Sequence, residues 1–219
     1  MSRFRPSRLG WWLHLLAGMA PAVGLGETPG QAMPAFEGAV RLEIPDDPAA
    51  GGRLRLLESF ALRDADGRRW EAPGGTLVSG AAVPPSLRHL FEDGIAGEPL
   101  RKAAVLRDAV AASRSESWKT VARVYHDATR AELASEPEAK ALYAAWYAGG
   151  LRWAPRGSSC FGRCHAAAPD LAWHADLRGV DLQPVLEWIW RENPALDAID
   201  ARLDVLVKHP GPHLFAQPR

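Results

Sequence analysis

An α+β fold is predicted by a single change of hydrophobic period along the chain, a change that is not reversed further on. Up to about residue 80 apolar and polar residues alternate in short runs between turn residues, the pattern of half-buried strands. From Pro84 onward the apolar residues recur at three- and four-residue spacing, the pattern of helices with one buried face. Strands first and helices afterwards argue for a small antiparallel sheet packed on a helical half, not for alternating β-α units.

The elements follow in order. Residues 36–44 alternate and predict a strand, which the Pro and Gly residues of 45–52 break. Residues 53–63 alternate again, Asp64-Ala65-Asp66-Gly67 reads as a hairpin turn, and residues 68–72 return. Pro73-Gly74-Gly75 turns the chain once more before an extended stretch at 76–78. A short helix is expected through Leu87, Leu90 and Phe91. Longer ones are expected over 99–113, 117–134, 137–153 and 181–192. Asn193 and Pro194 read as the cap and first position of a fifth.

The start of the chain reads as an export signal. Arg3, Arg5 and Arg8 form a basic n-region, and an apolar stretch with small residues follows to Gly26. His14, Gly18 and Pro21 interrupt that stretch, which makes it a poor permanent span against the roughly 20 apolar residues a bilayer requires. Cleavage after Gly26 or after Ala32 is compatible with it. The expected organisation is a signal segment 1–26, a flexible leader 27–35, an α+β domain 36–153 and a C-terminal extension 154–219. The last holds a cysteine loop and further helices. The expected location is periplasmic or secreted, with no stable transmembrane span once the signal is removed.

Composition narrows the classes of function. Of 219 residues 47% are apolar and 24% charged, the balance of an ordinary folded domain. Basic and acidic residues number 26 each. Three of the basic ones belong to the signal segment, so the remainder is mildly acidic and carries no basic field for nucleic acid.

The middle of the chain carries an ordered set of short motifs. They are Asp66-Gly67, the loop 72–84, Ala103-Ala104-Val105-Leu106-Arg107-Asp108, Val121-Ala122-Arg123-Val124-Tyr125, and the aromatic, glycine-ended run 142–150. Over roughly residues 53–153 this order resembles the phage and bacterial family known as domain of unknown function 1353. That family reads V-P-x-G-F-x-T-D-x-A-S-x-P in the loop, then A-A-x-x-H-D-x-x-Y and A-D-R-x-F on helices. The resemblance implies that the fold brings those polar residues together as a hydrolytic or metal site. Here the loop's Thr-Asp is Val78-Ser79, its Ser is Ala82, the helical His is Arg107, and the Asp of A-D-R-x-F is Ala122. Only Asp108 of that set is retained. An arginine stays protonated and cannot act as the base a histidine supplies. The expectation is a degenerate, non-catalytic member, with Arg107 ion-paired to a carboxylate and Asp108 in a packing role. The alternative is a small hydrolase that uses Asp108 with His126 and Asp127. Since neighbouring helical residues point about 100° apart, that pair is expected on the outer, solvated face.

Both cysteines fall in Cys160-Phe161-Gly162-Arg163-Cys164-His165. In an oxidising compartment a disulfide between Cys160 and Cys164 is the favoured reading. A further alternative is a c-type haem held at Cys160, Cys164 and His165 with His174 as axial partner, although the usual C-x-x-C-H is one residue shorter than this spacing. A zinc or copper site could use Cys160, Cys164, His165 and His174. No cofactor is favoured. Among nine tryptophans, Trp188 and Trp190 lie two apart on a predicted helix, so both cannot face one core. One of them is expected to be exposed, as a binding surface for another envelope protein. The function expected from all this is a non-catalytic structural or protein-interaction domain of the bacterial envelope.

Overall fold

The computed structural model describes residues 33–91, 101–132, 135–153 and 172–207. The signal segment, most of the leader and the Cys160–His165 loop lie outside these residues. In the described N-terminal half, six short strands form: β1 (Ala35–Glu37), β2 (Leu42–Glu43), β3 (Leu54–Leu56), β4 (Phe60–Arg63), β5 (Arg69–Ala72) and β6 (Leu77–Val78). They make two three-stranded antiparallel sheets, ordered β1-β4-β5 and β2-β3-β6. The architecture is α+β, as the change of period predicts.

The two long strands expected at 36–44 and 53–63 are each broken into two. Gly38 breaks the first: its φ of +91° is a left-handed conformation, and a Cβ there would sit 3.3 Å from the Phe60 Cβ. The chain thereby leaves the first sheet and joins the second. At 57–59 it crosses back, the corner held by Leu57 N–H donating to the Arg41 carbonyl at 2.8 Å. Sheets that exchange strands at such corners bury both inner faces in one core. The hairpin turn at 64–67 forms where expected. The Asp64 carboxylate accepts from the Asp66 and Arg68 N–H groups (3.0 and 2.8 Å) and from Trp70 Nε1 at 2.7 Å. That last bond lets an indole enter the core with its polar atom satisfied.

Pro85–Leu90 is a 3₁₀ turn, and the helices are α1 (Arg101–Ser113), α2 (Trp118–Glu132), α3 (Glu136–Gly149), α4 (Gln183–Glu192) and α5 (Leu196–Leu206). Ser117 starts α2 by accepting the Thr120 N–H at 3.0 Å. The helix expected to run to Trp153 stops at Gly149. The chain turns at Gly150, where any Cβ would collide with the Trp146 ring, and continues as strand β7 (Leu151–Trp153). Its partner β8 (Ala172–His174) pairs antiparallel with it. Nor does Asn193 start α5. It closes α4 in the left-handed region (φ 45°), donating to the Ile189 carbonyl, and Ala195 precedes α5.

Helix α1 packs on β5, β6 and α2, α2 packs on α3, and α3 carries α4 and α5. The core joins Leu56, Leu62 and Trp70 of the sheets to Leu106, Tyr125, Leu142 and Tyr147 of the helices. α5 buries Ile199 and Leu203 and docks its flank with acids at i, i+3 and i+7. Asp197 and Asp200 take Arg123 (2.7 and 2.6 Å), Asp200 accepts the Tyr143 hydroxyl, and Asp204 accepts Tyr147 and Lys119. Arg152, 1% exposed, donates to the last carbonyls of α3 at Tyr147 and Ala148, where a cation suits the helix dipole. Among the described residues no helix is long and apolar enough to cross a membrane.

The start of α1 is capped from outside its own segment. Glu132, the last residue of α2, accepts the N–H groups of Lys102 and Ala103 at 3.1 Å each. Burial pushes its carboxyl up to about 7, and the two backbone donors only partly offset that. The folded chain therefore holds a proton that the unfolded chain releases near the ordinary value of 4.5. Stability is expected to fall as pH rises from about 4.5 to 7. In Glu132→Gln this component of the slope should vanish while one of the two capping bonds is kept, which melting temperatures at pH 5 and pH 7 would show.

Candidate functional site

Arg107 and Asp108 stand in the middle of α1, opposite the loop that follows β6. The period of α1 turns Arg107 inward, where it is 3% exposed. A buried guanidinium requires a counter-charge and acceptors. Arg107 curls back onto Asp108 through Nη2 (2.7 Å) and Nε (3.1 Å), and the same Nη2 donates to the Ala81 carbonyl at 2.7 Å. Its plane lies 3.5 Å from the centre of the Trp146 ring and 4.7 Å from that of Tyr125.

The other oxygen of Asp108 binds the loop. It accepts the Ser79 N–H and hydroxyl at 2.8 Å each and the Gly80 N–H at 3.1 Å. Two residues after Gly80, the Ala82 carbonyl accepts from both Tyr125 Oη and Trp146 Nε1 at 2.6 Å. The loop 79–82 is thus fastened to α1, α2 and α3 at once. Burial alone would raise the Asp108 carboxyl. The Arg107 charge and the hydrogen bonds from Arg107 and Ser79 outweigh it and hold the group below its ordinary value.

Beside this clasp lies a cavity of about 450 Å³, within the usual range for small-molecule sites. Ser79, Arg107, Asp108 and Ala122 all line it, so the positions where the resemblance expects polar residues do converge. Three of the four now hold residues without acid-base capacity at neutral pH, and the fourth is a carboxylate already saturated with donors. The remaining wall is largely apolar and aromatic, formed by Leu77, Trp118, Val121, Trp146, Leu151 and Trp153. Arg53 and Arg114 also line it. The sequence reading missed both arginines: Arg53 follows a glycine turn and Arg114 follows a helix end, and neither sits in a motif.

The other candidates lie elsewhere. His126 and Asp127 face a different depression, bounded by Asp64, Arg123 and Leu196. They bond each other, Nδ1 to Oδ1, at 3.1 Å. The expectation of a solvated pair is corrected for His126, which is 8% exposed and packs edge-on against Tyr143, because α2 is covered on that side by α3. Asp108 and His126 are therefore not gathered in one cavity. His174 sits exposed on β8 with Nδ1 3.2 Å from the Gly149 carbonyl. Cys160, Cys164 and His165 fall outside the described residues. Among the described residues no cluster of three or more His, Cys, Asp or Glu side chains has the arrangement to hold a metal ion. Trp188 is half-buried beneath Arg202 and donates to Glu192 at 2.8 Å, whereas Trp190 is 47% exposed.

The clasp makes a quantitative prediction. Asp108→Ala leaves Arg107 buried without its counter-charge and should cost about 3–5 kcal/mol in a urea titration. Ser79→Ala removes one hydroxyl donor and should cost about 1 kcal/mol.

The chain is 32% identical over 114 residues to an uncharacterised protein of Sinorhizobium fredii (strain NBRC 101917 / NGR234), y4iH. The match covers 50% of this chain and 46% of that protein, so the chain spans about half the length of its curated relative. No solved structure matches. Residues 54–146, the stretch that contains the loop, the clasp and most of the cavity-lining residues, match the model of the family described as Protein of unknown function (DUF1353).

Proposed function

We propose that the chain is an exported protein of the bacterial envelope whose family domain is a non-catalytic structural or interaction module. The observation that carries this reading is the Arg107–Asp108 clasp. A working hydrolytic carboxylate needs a free lone pair aimed at substrate or water, with a base of suitable pKa within reach. Asp108 instead spends both oxygens on donors from Arg107, Ser79 and Gly80, and Arg107 occupies the place of a base it cannot replace. The exposed indole of Trp190 supports an interaction face on α4. Export rests on the basic, then apolar, start of the chain, and in that setting Cys160 and Cys164 pair as a disulfide.

Two measurements test the reading. Purified protein, assayed on ester, amide and phosphoester substrates, should show no turnover that Asp108→Asn removes; turnover lost in that variant would refute the non-catalytic assignment. Intact mass of protein recovered from a periplasm should show a chain lacking its first 26 to 32 residues. It should also be about 2 Da below the dithiol form until reductant is added. A chain that still begins at Met1 would overturn export with removal of the signal, and an added haem mass would overturn the disulfide.

A further inference from the structure

The cavity beside the clasp has walls that are fixed in place. Trp146 and Trp153 give their indole N–H groups to the Ala82 and Glu116 carbonyls, at 2.6 and 2.8 Å. Trp118 packs edge-on against Tyr147, with ring centres 5.0 Å apart. Ala111, Ala112 and Ala122 also line the space, and their short side chains leave its 450 Å³ open. Indoles held by such contacts do not swing in to close a gap, so the cavity is preorganised.

The polar side chains of the lining are already engaged. Both oxygens of Asp108 accept from Arg107, Ser79 and Gly80. The Ser79 hydroxyl donates to Asp108 and accepts the Ala81 N–H at 3.3 Å. Arg107, 3% exposed, presents almost no surface, and Arg114 has an interaction partner of its own. Arg53 donates Nε to the Ala50 carbonyl at 3.0 Å and is exposed, so water already solvates its charge. A polar ligand atom carried into the cavity would lose its water with no buried side chain free to replace it. An apolar ligand has the opposite balance, because it removes wall and ligand surface from water together.

We propose that this cavity binds a neutral, flat, apolar molecule of one or two fused rings, buried against the indoles of Trp118, Trp146 and Trp153. The inference rests on the non-catalytic reading of this site, in which Asp108 stays locked to Arg107, and it names the class of ligand that such a module holds.

The test is titration calorimetry with 1-methylindole, which has no hydrogen-bond donor. Its match in shape is 1-methylbenzimidazole, which replaces one ring CH by an acceptor nitrogen; both are used in mildly alkaline buffer, where both are neutral. One-to-one saturable binding of methylindole is expected, with a Kd of about 0.1 mM. Methylbenzimidazole should bind about tenfold more weakly, because its extra nitrogen is desolvated without a donor to meet it. Ala111→Phe and Ala112→Phe place a ring in the cavity from α1, the second at an exposed residue, and each should lower methylindole affinity at least about tenfold. Melting temperatures identify which variants remain folded. No saturation up to about 2 mM, equal affinity for the two probes, or full binding by folded variants would each overturn the proposal. These outcomes are separable from the enzymatic test, since failure to bind leaves the absence of Asp108-dependent turnover untouched. Such turnover, if found, would remove the non-catalytic reading whatever the affinities.

Discussion

A guanidinium taken out of water beneath the 79–82 loop sets the terms for the middle of this molecule. Arg107 is almost wholly buried, and a charge so placed is tolerated only with a counter-charge, acceptors and a polarisable surface around it. Asp108 supplies the first, Ala81 the second, and Trp146 with Tyr125 the third. Each comes from a different part of the chain, so satisfying one side chain aligns α1, α2, α3 and the strand-to-helix loop. The neighbouring bonds of Tyr125 and Trp146 to the Ala82 carbonyl tighten the same junction.

That arrangement bears on chemistry through competition for lone pairs. A carboxylate that accepts from an arginine on one oxygen and from a loop on the other is stabilised in its charged form and has little left to offer a reacting group. Where the family motif reads histidine, arginine turns what would be a proton-transfer pair into an ion pair. The cavity beside the pair is walled largely by side chains of α1, α2 and α3. Trp118, Val121 and the small Ala122 of α2 and Trp146 of α3 line it.

Elsewhere the fold uses charge at element ends instead of in its core. Glu132 caps a helix to which it does not belong, and Arg152 closes the carbonyl end of α3. The acids of α5 take their cations and phenols from α2 and α3. These contacts fasten the later helices to a core already closed by Leu106, Tyr125 and Leu142.

Local pattern determined the order of elements, because alternation and helical spacing reflect which face of each segment is buried, and that holds before any partner is known. The hairpin at Asp64–Gly67 was legible for the same reason, as were the four helical stretches and the pairing of Arg107 with a carboxylate. The sequence alone could not show that residues 36–44 and 53–63 each divide between two sheets. Gly38 reads as an ordinary residue of an alternating run until Phe60 comes to lie against it. The strand at 151–153 was hidden likewise, since its partner lies some twenty residues further on and the turn that ends the helix at Gly150 is set by the Trp146 ring, which leaves no room for a Cβ there. Convergence of Ser79, Arg107, Asp108 and Ala122 was implied by the family resemblance, but that of their cavity mates Arg53 and Arg114 was not. Which side chains share a cavity is settled by long-range packing, and short-range spacing carries no record of it.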